Sequence, residues 1–309
     1  MNDECILTIY SHMSEQTTFD LASSPIIRSP AVNPTRTIMA SLRSLAFNLF
    51  YWTSTALTVV AALLVVPIPS PRPLRWILHH WARLTVWAMR VIGGMTVEVR
   101  GREHMPLDGP ALIASKHQSE CDGTLMAALI PGIAFVAMKE LFSWPLIGAI
   151  LYRLDMIRVD TCGGERERRN LATFARRAIE ARRVLTIYPE GHLMPIGDKE
   201  RYRTGIYYMA RDLGLNVTPV ATCVGLLWPR WGFWKTPGKA AVEFLPALAP
   251  SGDKDTFMRE LEESIETATA RLVAEFTGQP YQLARYTPRS EPVTDRTATL
   301  APTAADPTP

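Results

Sequence analysis

The sequence predicts an α/β fold in which a mostly parallel central sheet is flanked by helices and preceded by a membrane-associated segment of two helices. From Met95 onward, short apolar runs alternate with segments of helical periodicity, and this alternation is typical of a mostly parallel sheet. Before Met95, a long uncharged run and an amphipathic segment follow each other instead. With 309 residues, the chain is long enough to bury one large α/β core and to carry additional segments.

The N-terminal region divides into two parts. Residues 1–38 are polar and weakly patterned, without a basic stretch leading into an apolar run, so we expect a disordered extension rather than a secretory signal peptide. Residues 39–94 contain the uncharged run Leu45–Val66, long enough to span a bilayer, and the amphipathic segment Leu74–Ile92, whose tryptophan and basic side chains suit a headgroup region. Basic residues flank the run on both sides, which favours a helical hairpin that enters and leaves one leaflet.

Residues 95–280 are predicted to form the α/β domain, and residues 281–309, rich in Thr, Pro and Ala, a disordered tail. The predicted strands are Thr96–Arg100, Ala111–Ser115, Ile133–Ala137, Met156–Val159, Val184–Tyr188, Val217–Ala221 and Ala241–Leu245. The predicted helices are Thr124–Ile130, Pro145–Leu154, Glu165–Arg183, Gly205–Leu213 and Asp255–Phe276. Because Pro219 has no N–H to donate, its strand is expected at a sheet edge, or Pro219 at a strand start.

The charge and the cysteine content of the sequence indicate which partners and which cellular compartment to expect. A net charge of +3 with a pI near 8.7 suits an anionic membrane surface or a phosphorylated substrate. The basic residues of Glu165–Arg183 lie opposite an apolar face, as in a crossover helix packed on a sheet, so nucleic acid is not an expected partner. The four cysteines are scattered without a CxxC pair, which predicts reduced thiols in a cytosolic compartment and no metal site.

His117 and Asp122 are the candidate catalytic pair, between the strand Ala111–Ser115 and the helix that follows. On one regular helix, at about 100° per residue, five steps would place the two side chains roughly 140° apart. A strand-to-helix turn can instead aim both at one point and leave backbone N–H groups beside them. A carboxylate that fixes the tautomer of a histidine and supports its imidazolium makes a general base. The spacing alone is common in proteins, so the downstream segments decide its meaning.

Two further groups of residues follow this pair. Lys139-Glu140-Leu141 opens an almost uncharged segment that is either a core helix or a wall for an acyl chain. The apolar strand Val184–Tyr188 ends in Pro189-Glu190-Gly191, a turn at the carboxyl end of a strand, where open α/β sheets bind their ligands. The basic residues that come next are candidate phosphate contacts: Lys199, Arg201 and Arg203.

Four blocks in this order resemble the signature of the glycerolipid acyltransferases and, within them, that of the bacterial 1-acyl-sn-glycerol-3-phosphate acyltransferases. The blocks are His117-x4-Asp122, Lys139-Glu140-Leu141…Pro145…Gly148, Tyr188-Pro189-Glu190-Gly191 and Val217-Thr218-Pro219-Val220. The resemblance covers roughly residues 44–276, including the N-terminal helices. Four ordered blocks are specific for the superfamily and less specific for the acceptor.

The resemblance implies an acyltransferase that moves a fatty acyl group from acyl-CoA or acyl-carrier protein to the free hydroxyl of 1-acyl-glycerol-3-phosphate. The product is phosphatidic acid, and the implied location is the cytoplasmic face of the inner membrane, among membrane lipids. By this resemblance, His117 would remove the hydroxyl proton while Asp122 holds its imidazole. Lys139, Glu190 and Gly191 would line the substrate site. The resemblance implies no covalent acyl-enzyme, no metal and no cofactor beyond the acyl donor.

Two positions depart from the family pattern. The second block usually ends Asp-Arg but here reads Asp160-Thr161, and the third usually continues Gly-Thr-Arg but here reads Gly191-His192-Leu193. The family uses both arginines around the acceptor phosphate. Alternative cations are Arg158, whose odd offset points it to the opposite face of its strand, and His192, Lys199, Arg201 and Arg203. The acceptor is therefore either lysophosphatidic acid or another lyso-lipid, such as a lyso-amino-acid lipid.

Two competing interpretations remain at this stage. Cys121 lies inside the His117–Asp122 segment and could act as the nucleophile of a thioesterase or hydrolase, although the adjacent Asp122 would raise the pKa of its thiol. The altered arginine positions could also mark a non-catalytic lipid-binding relative. The retained His117, Asp122, Glu190 and Gly191 favour an enzyme over this second interpretation.

Overall fold

The apolar runs that follow residue 94 form one seven-stranded sheet. The structure is a computed structural model that describes residues 34–160, 164–230, 232–280 and 285–286. The strands of the large sheet are β1 (Met95–Arg100), β2 (Ala111–Ser115), β3 (Ala134–Met138), β4 (Ile157–Val159), β5 (Val184–Ile187), β7 (Val217–Thr222) and β8 (Gly238–Phe244). A second sheet pairs β6 (Asp198–Lys199) with β9 (Arg285–Tyr286) in parallel.

Eight α-helices among the described residues connect and cover these strands. They are α1 (Pro34–Val65), α2 (Arg72–Val91), α3 (Cys121–Leu129), α4 (Lys139–Phe142), α5 (Pro145–Arg153), α6 (Gly164–Glu180), α7 (Gly205–Leu213) and α8 (Lys254–Thr277). Short 3₁₀ turns occupy Arg102–His104 and Val224–Leu226. The five helices predicted within residues 95–280 begin and end within a few residues of the observed ones, because apolar periodicity and flanking turn residues mark them.

The strand order of the large sheet is β1-β8-β7-β2-β5-β3-β4. All neighbours run parallel except β7 and β8, which are antiparallel, so the predicted mostly parallel sheet flanked by helices is confirmed. The predicted edge position of Pro219 is wrong, because β7 lies between β2 and β8. Pro219 still accepts a hydrogen bond from the Leu245 amide just beyond the end of β8, so its missing N–H removes only the last bond of that ladder.

The alternation of side chains along β2 builds two apolar layers. Ile113 belongs to one buried cluster with side chains of α2 and α3, whereas Leu112 and Ala114 belong to the other, with side chains of α6, α7 and α8. Successive residues of a strand point to opposite faces of the sheet. As a result, β2 is buried on both sides, and the turn at its carboxyl end is held by both layers.

The first two helices pack against each other and against the sheet domain. Phe47 of α1 is fully buried and meets the Trp228 ring edge-on at 5.3 Å between centroids. The side-chain amide of Asn48 donates to the Phe233 carbonyl at 2.8 Å. On α2, His79 Nδ1 donates to the Ala127 carbonyl of α3 at 2.8 Å. The hairpin therefore rests directly on α3, the helix that carries Asp122.

The outer face of α1 is apolar and open. Exposed side chains on this helix include Leu49, Trp52 and Leu64, each more than 60% exposed. Among the described residues, Ile38–Val65 is the one helical segment long and apolar enough to cross a membrane, judged by length and composition. A helix that buries one stripe on the protein and exposes a second apolar stripe has the composition of a lipid-facing helix.

Both ends of the described chain differ from the predicted boundaries. Helix α1 begins at Pro34, inside the segment 1–38 that was predicted to be a disordered extension, and residues 1–33 of that segment lie outside the described residues. Strand β9 lies inside the predicted tail 281–309. Only positions 34–38 of α1 and the two residues of β9 fall inside the predicted segments, and neither stretch is long enough to show an apolar periodicity.

Arg183, at the entrance to β5, ties three loops together from a buried position. Its guanidinium donates to the carbonyls of Gly132, Ile133 and Leu154 at 2.7, 2.9 and 2.7 Å, and the residue is 5% exposed. These carbonyls lie before β3 and after α5, where helix and turn geometry leaves acceptors without backbone partners. One side chain thus donates hydrogen bonds to all three of these carbonyl groups.

We predict that Arg183→Met lowers the free energy of unfolding by about 2–4 kcal/mol, because several buried carbonyls lose their donor. Urea unfolding of the detergent-solubilised protein measures this change. The matched control is Arg182→Met, because Arg182 is exposed and a surface substitution there should change stability by less than about 0.5 kcal/mol. Equal losses in the two variants would show that the buried contacts contribute nothing.

Candidate active site

The turn between β2 and α3 brings His117 and Asp122 together. Strand β2 ends at Ser115 and α3 begins at Cys121, so His117 lies in the turn and Asp122 in the first turn of the helix. His117 Nδ1 lies 3.1 Å from Asp122 Oδ2. The side chain of Asp122 is 2% exposed and that of His117 is 20% exposed. The pair therefore has a buried carboxylate and an imidazole that reaches the surface.

Asp122 also organises the turn itself. Its Oδ2 accepts the backbone N–H groups of Gln118 and Ser119, both at 2.8 Å. These two amides, which the sequence predicted to lie open beside the pair, are thus engaged by the carboxylate. Since Oδ2 is an acceptor, His117 Nδ1 carries the hydrogen, and Nε2 is left as the basic nitrogen. The arrangement holds the tautomer that a general base requires.

Tyr188 forms a wall beside the imidazole. Its ring stacks on His117 with 3.9 Å between ring centroids and an angle of 17°. Burial raises the pKa of the Tyr188 phenol well above its usual range, and the nearby Asp122 raises it further, so the side chain stays neutral. The sequence placed Tyr188 at the end of a strand but contained no signal for this stacking.

The Pro-Glu-Gly turn frames the backbone of His117. The Met194 amide donates to the His117 carbonyl at 2.7 Å, and Glu190 Oε2 accepts the His117 amide at 3.1 Å. Gly191 has φ +82°, and a Cβ at this position would lie 2.5 Å from Arg203 Nε. Only glycine fits a left-handed position with a guanidinium pressed against it, which explains the residue after Glu190.

Glu190 belongs to a buried cluster of charges. Lys116 Nζ donates to Glu190 Oε1 at 2.6 Å, to Glu266 Oε1 at 2.8 Å and to the Asp198 carbonyl at 3.2 Å. Tyr202 donates its hydroxyl to the same Glu266 oxygen at 2.9 Å. The side chains of Lys116, Glu190 and Glu266 are 1%, 0% and 5% exposed. Glu190, predicted to line the substrate site, thus has no carboxylate surface open to solvent.

The cluster holds two carboxylates and one ammonium, and this excess of negative charge affects the pKa values of its members. Burial raises the pKa of Glu190 to about 7, Lys116 opposes this shift, and the Glu266 carboxylate adds to it. For Lys116, burial lowers the pKa, but Glu190 and Glu266 outweigh this effect and raise it overall. One ammonium between two carboxylates in a dry site favours retention of a proton.

Sequence reasoning did not identify Lys116 or Glu266 as part of this region. For Glu266 a signal existed: it falls on the buried face of α8 between Leu261 and Leu272, where a carboxylate requires a partner. The identity of that partner depends on how α8 crosses the sheet, which periodicity does not specify. The sequence contains no signal for the burial of Lys116, because lysine side chains are usually solvated.

The predicted phosphate contacts occupy several places. Lys139 forms an ion pair with Asp160, and both side chains are about one-third exposed. Arg158 is exposed on β4, in register with Ala137 of β3. Thr161, which stands at one of the usual arginine positions, lies outside the described residues. Lys139, Asp160 and Arg158 lie on or just after β3 and β4, which are two and three strands from β2 in the sheet.

The remaining predicted cations surround the Pro-Glu-Gly turn. His192 Nε2 lies 2.9 Å from Glu200 Oε2, Lys199 Nζ lies 3.0 Å from Glu262 Oε1, and Arg201 is exposed. Arg203 packs against Gly191. Arg230, which the sequence did not single out as a ligand, donates from Nη1 to the Leu193 carbonyl at 2.7 Å. Two guanidinium groups thus approach the turn in which the family arginine is missing.

Cys121 lacks the features of a nucleophile. It is fully buried and accepts a hydrogen bond from the Ser119 hydroxyl at 3.2 Å. Burial strongly raises the pKa of its thiol, and the neighbouring Asp122 carboxylate raises it further. A reactive cysteine needs an accessible sulfur with a lowered pKa, so the structure disfavours the thioesterase interpretation.

The fold and site define a class of protein: an α/β enzyme with a histidine–carboxylate pair in a strand-to-helix turn, in which both cysteines of the described residues are buried. The family model described as Acyltransferase matches residues 96–223 of this chain. This segment includes the turn, the Pro-Glu-Gly residues and β7. It ends before β8 and α8, so Glu266 lies outside it.

Named relatives agree with this assignment. The 1-acyl-sn-glycerol-3-phosphate acyltransferase of Pseudomonas aeruginosa is 28% identical over 238 residues, which cover 77% of this chain and 92% of that protein. The human beta form of the enzyme of the same name is 26% identical over 188 residues, 57% of this chain and 67% of that protein. The crystal structure of 1-acyl-sn-glycerophosphate acyltransferase from Thermotoga maritima superposes with a TM-score of 0.61 at 19% identity, covering 77% and 98% of the two chains. This last likeness shows the fold.

We predict that Glu190→Gln flattens the dependence of stability on pH between about 5 and 7. In the wild type the folded state holds a proton on Glu190, with a pKa of about 7 against an ordinary 4.5, while the unfolded state has lost it. This contribution is full at low pH and disappears as the pH rises through 7. Urea unfolding of both proteins across this range measures the slopes, and equal slopes would contradict the raised pKa.

We predict that Cys121→Ser retains acyl-transfer activity within about threefold, because the buried sulfur takes no part in the chemistry. Initial rates of wild type and variant with the same acyl donor and lysophosphatidic acid measure the effect. Intact-mass spectrometry after mixing with donor alone provides a second readout. Loss of activity together with an acyl adduct that disappears in the variant would instead establish a thiol nucleophile.

Proposed function

We propose that the protein transfers a fatty acyl group from a thioester donor, acyl-CoA or acyl-carrier protein, to the free hydroxyl of 1-acyl-glycerol-3-phosphate. The product is phosphatidic acid for phospholipid biosynthesis. The observation that carries the proposal is His117, with Nδ1 held by buried Asp122 and Nε2 left basic on a partly exposed ring. The names of the relatives from Pseudomonas aeruginosa and human support the choice of acceptor.

The chemistry follows from that geometry. His117 Nε2 takes the proton from the acceptor hydroxyl while Asp122 stabilises the imidazolium that forms. The hydroxyl oxygen attacks the thioester carbonyl, and a tetrahedral oxyanion results. When the oxyanion collapses, the carbon–sulfur bond breaks and the ester forms. The thiolate that leaves takes the proton from His117. The histidine ends in its starting state, and no acyl group is bound to the enzyme.

The acceptor phosphate requires cations, and the chain offers them around the Pro-Glu-Gly turn. Arg203 packs against Gly191, one residue from the carboxylate that binds the His117 amide, and Arg230 reaches Leu193. A guanidinium group can bind two oxygens of one phosphate at once, through two parallel N–H donors. These two arginines support phosphate recognition in place of the family arginines, with Lys139 as a further cation at the end of β3. A lyso-lipid with another headgroup is the alternative acceptor.

The substrates place the enzyme at a membrane, and we propose its cytoplasmic face. Helix α1 exposes apolar side chains along its outer stripe, and α2 exposes Trp76 and Trp87. Phe233 and Trp234 are also more than half exposed, in a loop bonded to α1. Aromatic side chains of this kind lie at headgroup depth. The hairpin and this loop support a single membrane-facing surface next to the catalytic turn.

The decisive experiment is an acyl-transfer assay with the His117→Ala variant. We expect wild-type membranes to release CoA from acyl-CoA only when lysophosphatidic acid is present, and the variant to lose at least about a hundredfold in kcat, because the base is gone. The matched control is His104→Ala, a substitution of a partly exposed histidine in a 3₁₀ turn, which should keep wild-type activity.

A panel of acceptors completes the assay, with lysophosphatidic acid compared with lysophosphatidylcholine, monoacylglycerol and lyso-amino-acid lipids. Preference for a phosphate-free acceptor would overturn the acceptor and leave the mechanism intact. Wild-type protein that releases no CoA with any acceptor would support a non-catalytic lipid-binding protein instead.

A further inference from the structure

A second buried carboxylate, that of Glu190, binds the backbone of His117, and the contacts behind it reach beyond the segment that the family model matches. The amide of His117 donates to Glu190 Oε2 at 3.1 Å. The other oxygen of the same carboxylate accepts Lys116 Nζ at 2.6 Å. Glu190 therefore binds two consecutive residues of the catalytic turn with its two oxygens, and its orientation determines where the turn lies.

Lys116 is held as firmly as its partner. The ammonium uses its three donors on Glu190, Glu266 and the Asp198 carbonyl, and its own amide donates to the Val220 carbonyl of β7. A buried ammonium without these acceptors would be strongly unfavourable. The position of Glu190 is therefore coupled to the position of Glu266 through a single nitrogen atom.

Glu266 brings α8 into the active-site framework. It lies 150 positions along the chain from Lys116, on the buried face of α8. Tyr202, which follows the Pro-Glu-Gly turn, donates to the same Glu266 oxygen as Lys116 does. Both donors converge on this oxygen, so the helix cannot shift without breaking a buried, charged hydrogen bond.

We propose that Glu190, Lys116 and Glu266 form a positioning relay that sets the backbone of His117, with Glu266 of α8 as its distal anchor. Glu190 then acts on His117 rather than on the substrate, since its side chain is 0% exposed and both oxygens are engaged. The relay rests on the proposed acyl transfer, in which His117 is the base. None of its three members touches the reacting atoms.

Glu266→Gln tests the relay. The amide keeps the shape and an oxygen for Tyr202, but it removes the negative charge from Lys116. We expect kcat to fall about 10- to 100-fold, as for a displaced catalytic group, while KM for lysophosphatidic acid and for acyl-CoA stays within about twofold. We also expect the acid side of the pH–kcat profile to move to lower pH, because Glu190 loses the neighbouring carboxylate that raises its pKa.

The matched control is Glu263→Gln, an exposed position three residues earlier on the same helix, which should behave as wild type. Tyr202→Phe, which removes one donor to Glu266, should lower kcat in the same direction by a smaller factor. In a double-mutant cycle, Glu266→Gln should cost much less in a Glu190→Gln background than in the wild type, since it acts through Glu190.

A readout without activity separates the relay from the proposed reaction. Hydrogen exchange of peptides that cover residues 116–120, followed by mass spectrometry, should be faster in Glu266→Gln than in Glu263→Gln at equal unfolding midpoints. A raised KM for the lyso-lipid with unchanged kcat, additive effects in the cycle, or equal exchange in the two variants would each overturn the relay. If the wild type lacks transfer activity, the proposed reaction fails, and the exchange result still decides the relay.

Discussion

The turn between β2 and α3 depends on one constraint: two buried carboxylates hold His117, Asp122 through the imidazole and Glu190 through the backbone amide. Asp122 accepts the amides of the next two residues and the imidazole Nδ1, and Glu190 accepts the His117 amide itself. A histidine base works only when its ring and tautomer are fixed before the substrate arrives. The sheet supplies both carboxylates, one from the helix after β2 and one from the turn after β5, its neighbour in the sheet.

The two N-terminal helices and the His117–Asp122 turn are joined by directly packed elements. Helix α2 packs on α3 through His79 and Ala127, and α3 carries Asp122 in its first turn. Helix α1 is bonded to the loop that contains Phe233, through Ser44 and Asn48. A lipid substrate that remains in the leaflet needs a base at a defined height above it. Direct packing of the hairpin on the helix that positions the base supplies such a height without a flexible linker.

The Pro-Glu-Gly turn keeps positive charge nearby although it lacks the arginine of the family pattern. The arginine that usually follows Gly-Thr is replaced by Leu193, whose carbonyl instead accepts Arg230, and Arg203 fills the space that only a glycine at position 191 leaves open. Charge near the turn is therefore retained although the local motif is lost. Since a phosphate is bound by the sum of nearby donors rather than by one residue, cations from other elements can take over this role.

The sequence by itself determined the element order, the mostly parallel sheet and the His117–Asp122 turn. Each depends on local periodicity or on short spacings, and the ordered blocks identified the family. Only the tertiary structure decided that β7 is a central strand despite Pro219, that Tyr188 stacks on His117, and that Lys116 meets Glu266 across 150 positions. Such contacts depend on strand order and on where a helix crosses the sheet. A pattern of apolar residues specifies which face of α8 is buried, but not which charged side chain contacts that face.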